Sequence, residues 1–388
     1  MLNFLHAITL HAVTSILLEI LIVLVIIFVL VLVHEFGHFV VAKLSGMRVD
    51  EFGIGFPPRA LTIGKIGETE YTLNWLPIGG FVRIYGEDGQ EGVEPNPRAF
   101  TSKPRSLQAL TLIAGIVMNF ILAYVLITTS LIIGTQEELS NDAQLATAKN
   151  LQVAFAAVTP GGPAAQAGFL PGDIITSATS TSKTSGINYD GDLPAGYVTL
   201  IGIDTALNPI TFSVNRNGRH LVITATPRLK TIPSAPARPA LGVQIVSIGV
   251  IKTPAKEAIV QAGQVEWNEV KYEAIGLFDF FKSFVLFKPD LSQVSGPIGI
   301  AGVVGQASSN GFGALLSLTA LISVSLALFN LIPIPALDGG RLLFVIIEAI
   351  IERPIHQKIA ERINMAGLVI IGLLFVIVCI HDILNLIK

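Results

Sequence analysis

His34, Glu35 and His38 stand in the order His-Glu-x-x-His. On a helix, residues four apart lie about 40° apart around the axis and about 6 Å along it, so both imidazoles reach one metal ion. The carboxylate between them is close enough to act as general base on a water at that ion. This is hydrolytic chemistry of the kind zinc supports. A hydrolytic zinc site usually has three protein ligands and one open position. The third must come from elsewhere in the chain.

The helix that positions the pair is unusual. The motif ends an apolar run from Ile16 to Val33, broken only by Glu19. The whole chain has this bias: of 388 residues, 51% are hydrophobic and 14% charged, against roughly 25% charged in an ordinary soluble domain. The mean hydropathy is +0.66. These values indicate a membrane protein. A net charge of −3 gives no basic surface for nucleic acid. The single cysteine, Cys379, excludes an intrachain disulfide and a Cys-based zinc finger. The first apolar segment lacks the basic flank of a signal peptide and reads as a retained span.

Four segments are long enough to cross about 30 Å of hydrocarbon. They run from about Thr14 to Val41, Leu107 to Gly134, Phe312 to Ile334 and Ile363 to His381. Leu342 to Ile351 is too short and reads as an amphipathic helix. Basic residues cluster between spans one and two (Lys43, Arg48, Arg59, Lys65, Arg83 and others) and between spans three and four (Arg341, Arg353, Lys358, Arg362). Both short loops are therefore expected to be cytoplasmic, with the termini and the long middle segment outside. His34 lies about 20 residues, or ~30 Å, beyond Thr14, near the cytoplasmic boundary.

At that boundary the third span ends in Asn330-Leu331-Ile332-Pro333-Ile334-Pro335-Ala336-Leu337-Asp338-Gly339-Gly340. The prolines break the helix, and Asp338 follows at the level of His34 and His38. An ionisable residue at membrane depth is a functional candidate by default. Of the other histidines, His6, His11, His220 and His381 fall at other levels; His356 lies nearer. Asn330 reads either as a helix cap or as a group beside the scissile bond. Arg341 reads as a positive-inside anchor, Glu19 as structural.

The intervening segments have their own signatures. Ala60–Ile66 and Glu70–Leu76 alternate around Gly67-Glu68-Thr69, a hairpin pattern. The Leu76-Pro77-Ile78-Gly79-Gly80-Phe81-Val82 stretch is apolar but interrupted, and is expected to be an irregular loop at the membrane edge. From about 137 to 252 short β-rich runs replace the apolar helices. Pro160-Gly161-Gly162-Pro163-Ala164-Ala165 through Pro171-Gly172-Asp173 and a hairpin around Asn217-Gly218 have the spacing of a bacterial PDZ domain over roughly 151–246. In it, Leu241-Gly242 is the candidate loop for a peptide carboxylate. The stretch 177–205 has no assignment. About 253–287 is helical and amphipathic, with Trp267, Tyr272 and Phe278 as candidates for a membrane interface.

The His-Glu-x-x-His on one span, the Asn-x-x-Pro-x-Pro-x-Leu-Asp-Gly on a later one and the PDZ pattern between them resemble the site-2 protease family, and within it the regulator-of-sigma-E type. That resemblance implies Zn2+, one per chain, held by His34, His38 and Asp338, with Glu35 as general base and peptide hydrolysis at or in the membrane. It implies substrate contacts at Asn330, Pro333, Asn119, Gly79 and Gly80, the last two in a membrane-associated β region that presents substrate as an extended strand. The family commonly has Gly-Pro before the second-span Asn; here the stretch is Ala114-Gly115-Ile116-Val117-Met118-Asn119, without the Pro. Only one PDZ pattern is visible, where the best-known members carry two.

The expected fold is thus a multi-pass α-helical membrane protein with four transmembrane helices, a cytoplasmic-side β-hairpin region and one extracytoplasmic PDZ domain. Its expected divisions are 1–136, the first half of the protease core; 137–252, the PDZ-like domain; 253–311, a linker helix region; and 312–388, the second half of the core. The expected partners are the lipid bilayer, single-pass membrane proteins such as anti-sigma factors or signal-peptide remnants, and peptide C-termini or ectodomains at the PDZ domain. The compartment is the bacterial inner membrane. The alternative is a non-proteolytic PDZ-bearing scaffold.

Overall fold

The computed structural model describes residues 2–87, 96–139, 142–180, 183–185, 207–216, 218–231, 239–286 and 296–387. They form two compact units, Met1–Ser130 with Ala255–Lys388, and Leu131–Pro254.

In the first unit, α1 (Leu2–Leu44) carries the His-Glu-x-x-His sequence in its last turns. Its Leu17–Leu44 part is one of four described helices long and apolar enough to span a membrane. The others lie within α2 (Arg105–Ile133), α7 (Phe312–Leu331) and α9 (Gln357–Ile387). β-branched Val and Ile weaken helices in water. In hydrocarbon the backbone has no partner but itself, so the same residues are helical. Exposed Leu17, Leu21, Val25 and Val29 give α1 an apolar outer surface.

Between α1 and α2 lie β1 (Val49–Ile66) and β2 (Thr69–Ile84), turning at Gly67-Glu68 as the alternation predicts. The pair doubles back on itself. Phe52 faces Val82 on one side and Tyr71 on the other, so the 49–54 segment has a strand on each flank and the 80–84 segment is an edge. The stretch expected as an irregular loop, 76–82, is instead the later part of β2. Pairing to β1 satisfies its backbone, and Gly79, at φ +91°, supplies the bend that lets it turn onto α1. A cluster of Ala42, Met47, Val49, Ile84, Phe100, Leu112 and Val345 fixes this sheet to the ends of the helices.

Among the described residues, the second unit is a seven-stranded antiparallel sheet. Along the chain it has β3 (Thr135–Leu139), α3 (Asp142–Thr147), β4 (Lys149–Val158), α4 (Pro163–Ala167), β5 (Ile174–Ser180) and β6 (Lys183–Ser185). Then come β7 (Ile210–Arg216), β8 (Arg219–Ala225) and β9 (Val243–Ile251). The strand order is β3-β9-β4-β5-β7-β8, with β6 on β5. Phe155, Phe169 and Phe212 meet edge to face in its core. The turn before β5 is held by Asp173. Arg216 donates to both its carboxylate oxygens at 2.6 and 2.7 Å, and the Leu170 N–H donates at 3.0 Å. Most of the unassigned 177–205 stretch, and Asn217 of the expected Asn-Gly hairpin, lie outside the described residues.

Returning to the first unit, α5 (Ala255–Val285) packs on α7 through its acidic side: Ser325 of α7 donates to Glu273 at 2.6 Å. Trp267, Tyr272 and Phe278 are exposed. Next come α6 (Pro297–Ser309) and α7, then α8 (Asp338–Ile351), whose first residue is Asp338.

Candidate active site

His34 and His38 are both buried, and their rings meet edge to face at the inner side of α1. Asp338 reaches them from the start of α8, 304 positions away in the chain. Its Oδ2 lies 2.8 Å from His34 Nε2 and 3.2 Å from His38 Nε2, and the two Nε2 atoms are 3.2 Å apart. Ligand atoms about 2.0–2.1 Å from a tetrahedral zinc would stand roughly 3.3 Å from one another. The triangle therefore has the size and donor chemistry of a zinc site, and it is the group of metal-ligating side chains that converges among the described residues. Burial opposes the charge on Asp338, but the hydrogen bonds and charges of the two histidines outweigh it and hold its carboxyl below the usual range.

The far side of the two rings is set by α2. His38 Nδ1 lies 2.8 Å from the Thr111 carbonyl, which can only accept, so this nitrogen carries the proton. Asn119 approaches the other ring, its side-chain amide 3.3 Å from His34 Nδ1. Gly115 lies between. A Cβ there would sit 2.3 Å from His38 Nε2 and 2.9 Å from His34 Cε1. On α1, a Cβ at Gly37 would lie 2.5 Å from the Ala114 carbonyl. The two glycines let α1 and α2 approach closely enough for both contacts. Thr111, Gly115 and Asn119 share one face of α2 at four-residue spacing, a face opposite the His34–His38 face of α1.

Asp338 depends on the turn that the prolines impose. Helix α7 stops at Leu331, and tight bonds from Ile334 N–H to the Ile332 carbonyl and from Leu337 N–H to the Ile334 carbonyl fold the chain back. Gly339 and Gly340 lie directly against the carbonyls of Leu331, Ile332 and Ile334, where no side chain fits. The Leu-Asp-Gly-Gly sequence is thus a start signal for α8 that aims Asp338 inward.

Glu35 faces a cavity of about 160 Å3, shared with His38, Phe81, Val82, Ile84, Glu87, Asp338 and Arg341. The Val82 N–H, on the β2 edge, donates to Glu35 Oε2 at 3.1 Å. Arg341 pairs with Glu87 at the cavity wall. Sequence reasoning did not single out Thr111, Gly115, Val82 or Glu87. A backbone donor or acceptor has no residue signature. For Gly115 the available signal was its place one turn before Asn119.

The remaining sequence candidates fall in several places. Gly79 and Gly80 pack β2 against Val31, Leu32 and Glu35 of α1. Asn330 is half-buried at the end of α7, Pro333 is exposed in the turn that follows, and neither lines the cavity. Leu241 and Gly242 are in the second unit, their carbonyls accepting from Ala164 and Thr159 N–H, with Gly242 at φ +76°. His356 is outside the metal-sized group.

Comparison with known proteins agrees with this geometry. The model of peptidase family M50 matches residues 22–374. The chain belongs to this family, the site-2 protease family of zinc metalloproteases. The M50 chain is 33% identical over 356 residues to a Clostridium perfringens protein named a putative zinc metalloprotease, covering 92% of this chain and 95% of that one. It is 30% identical over 346 residues to a Nostoc protein of the same description, covering 88% and 90%. It is 27% identical over 437 residues to the zinc metalloprotease RasP of Geobacillus kaustophilus, covering 91% and 95%. The match extends through residues of both units.

Proposed function

We propose that this M50 peptidase hydrolyses peptide bonds in the membrane segments of single-pass proteins, in the manner of the regulator-of-sigma-E type. The substrates are of the kind left by an earlier cut, such as anti-sigma factors or signal-peptide remnants. The observation that carries the reading is the convergence of His34, His38 and Asp338 beside Glu35, at the ends of apolar helices and in a cavity open to polar groups. His34, His38 and Asp338 would hold the zinc, and when bound it would supply a Lewis acid for the scissile carbonyl and the attacking water. Glu35 takes the water's proton as the C–O bond forms, and delivers it to the leaving nitrogen as the C–N bond breaks. The Val82 N–H holds Glu35 beside the cavity in the meantime.

A substrate helix has its carbonyls tied up and must unwind before attack. The edge of β2 from Gly79 to Ile84 offers strand pairing to the unwound form. We also read Asn330 and Pro333, at the break after α7 and outside the cavity lining, as substrate contacts. The basic short loops support a cytoplasmic position for the active site in the bacterial inner membrane, with the termini and the second unit outside. We read that second unit as a PDZ domain whose Leu241-Gly242 loop receives a peptide C-terminus or meets an ectodomain.

The test is a membrane-spanning reporter co-expressed with wild type or with Glu35→Gln. Cleavage should fall by about 10²–10⁴-fold, the usual contribution of a general base. Equal cleavage by the two would remove Glu35 from the mechanism.

A further inference from the structure

Asn119 is fully buried, at 0% exposure, and its side chain is not part of the cavity wall. Its Nδ2 lies 3.3 Å from His34 Nδ1, while its Oδ1 is buried with no hydrogen-bond partner. The two ends of an amide exchange by a half-turn about the last side-chain bond, and hydrogen bonding decides which end belongs where. Here His34 decides it. Its Nε2 converges with His38 Nε2 and Asp338 Oδ2, so the Nε2 lone pair must face inward if the three are to hold a cation. The single proton of the neutral ring is then on Nδ1, which must donate. Only the amide oxygen of Asn119 accepts. The half-turn that gives His34 its acceptor gives Oδ1 its partner and moves Nδ2 into the enclosed position that Oδ1 had occupied.

We infer that Asn119 is a positioning residue whose side-chain carbonyl accepts the Nδ1–H of His34, fixing that imidazole with Nε2 toward Asp338. This rests on the zinc reading of the site. His38 has the equivalent arrangement two turns away, where Nδ1 meets the Thr111 carbonyl at 2.8 Å. One face of α2 thus sets both rings, with the bare backbone of Gly115 between the two acceptors. Asn119 is held in turn from α7: Ser323 Oγ–H donates to its backbone carbonyl at 2.8 Å. The helix that leads to Asp338 therefore also braces the residue that orients His34.

The experiment measures zinc affinity of the purified full chain by competition with a chromophoric chelator, together with the cobalt(II) absorption spectrum. Asn119→Leu removes the acceptor; Asn119→Asp keeps two acceptor oxygens and no donor. The Leu variant should bind zinc about 10–100-fold more weakly, with an altered cobalt spectrum, and the Asp variant within about threefold of wild type, as expected for an acceptor behind a metal-binding histidine. Wild-type affinity in the Leu variant, or equal weakening in both, would overturn the inference. Thermal unfolding of the metal-free proteins shows whether the variants fold, and Asn119→Ala replaces the Leu variant if it does not. Failure of wild type itself to bind zinc would instead overturn the reading of the site. Wild-type binding that Asp338→Ala abolishes while Asn119→Leu leaves unchanged would overturn the role of Asn119 alone.

Discussion

Asp338, half-buried, and Asp173, fully buried, are aspartates held by cationic or protonatable partners, one in each unit. Asp173 is completely enclosed, its side chain 0% exposed, and both its oxygens are taken by Arg216 and by backbone N–H. Asp338 keeps 17% of its side chain accessible, touches two imidazoles and adjoins a cavity. Arg216 is permanently charged and its fork matches the carboxylate, so that pair has one state and works as a strut. The imidazoles beside Asp338 can give up their protons and take a metal instead, so that group has more than one state. Burial and a short contact are therefore common to a brace and to a reactive site. What separates them is whether the partner can be exchanged and whether a cavity adjoins it.

Substitution tests that contrast directly. Asp338→Ala should abolish peptide cleavage, with a loss of at least about 10³-fold, and remove stoichiometric zinc. Unfolding of the second unit should be unchanged. Retained zinc in that variant would transfer the third ligand to another residue. Asp173→Ala should do the reverse. It leaves Arg216 without its partner and frees the turn before β5, costing about 2–3 kcal/mol after allowing for the partly exposed arginine. Zinc content should match wild type, and denaturant unfolding followed in the sheet should show the change.

A smaller effect concerns the carboxylates that α5 turns toward α7. Burial, then Glu273 and Glu266 nearby, push Glu269 up to about 7. Its folded value lies above its unfolded value, so the folded state holds the extra proton between them. Stability from this group is thus greatest at low pH and falls as pH rises from about 4.5 through about 7. Hydrogen exchange in α5 should be slower at pH 5 than at pH 8, and Glu269→Gln should flatten the difference. An unchanged profile in that variant would assign the dependence to Glu266 or Glu273.

Much of the site was legible because its information is local. His34, Glu35 and His38 fall within five residues of one helix, and Asp338 is flagged by prolines before it and glycines after it. Charge in the short loops was the reason to expect those two distant sequences at one level. The face of α2 was not legible in the same way. That Thr111, Gly115 and Asn119 meet His38 and His34 depends on the register between two helices, which no residue states alone. The edge role of β2 was obscured by Pro77 and the paired glycines, which read as a loop until the doubling of β1 supplies a partner. In the second unit the sequence pattern began near Leu151, whereas the sheet also takes in β3, paired with β9 across more than a hundred residues. Such long-range pairing leaves no periodic mark.

The four-residue stripe on α2 has a consequence for the order in which the molecule is made. Every group that orients the two imidazoles lies at or before residue 119, while the carboxylate that completes the set is more than two hundred positions later. A growing chain therefore has both histidines, the groups on α2 that meet them and Glu35 long before it has Asp338. The metal-sized group is complete only once Asp338 has been made, after the β-sheet unit has already been synthesised.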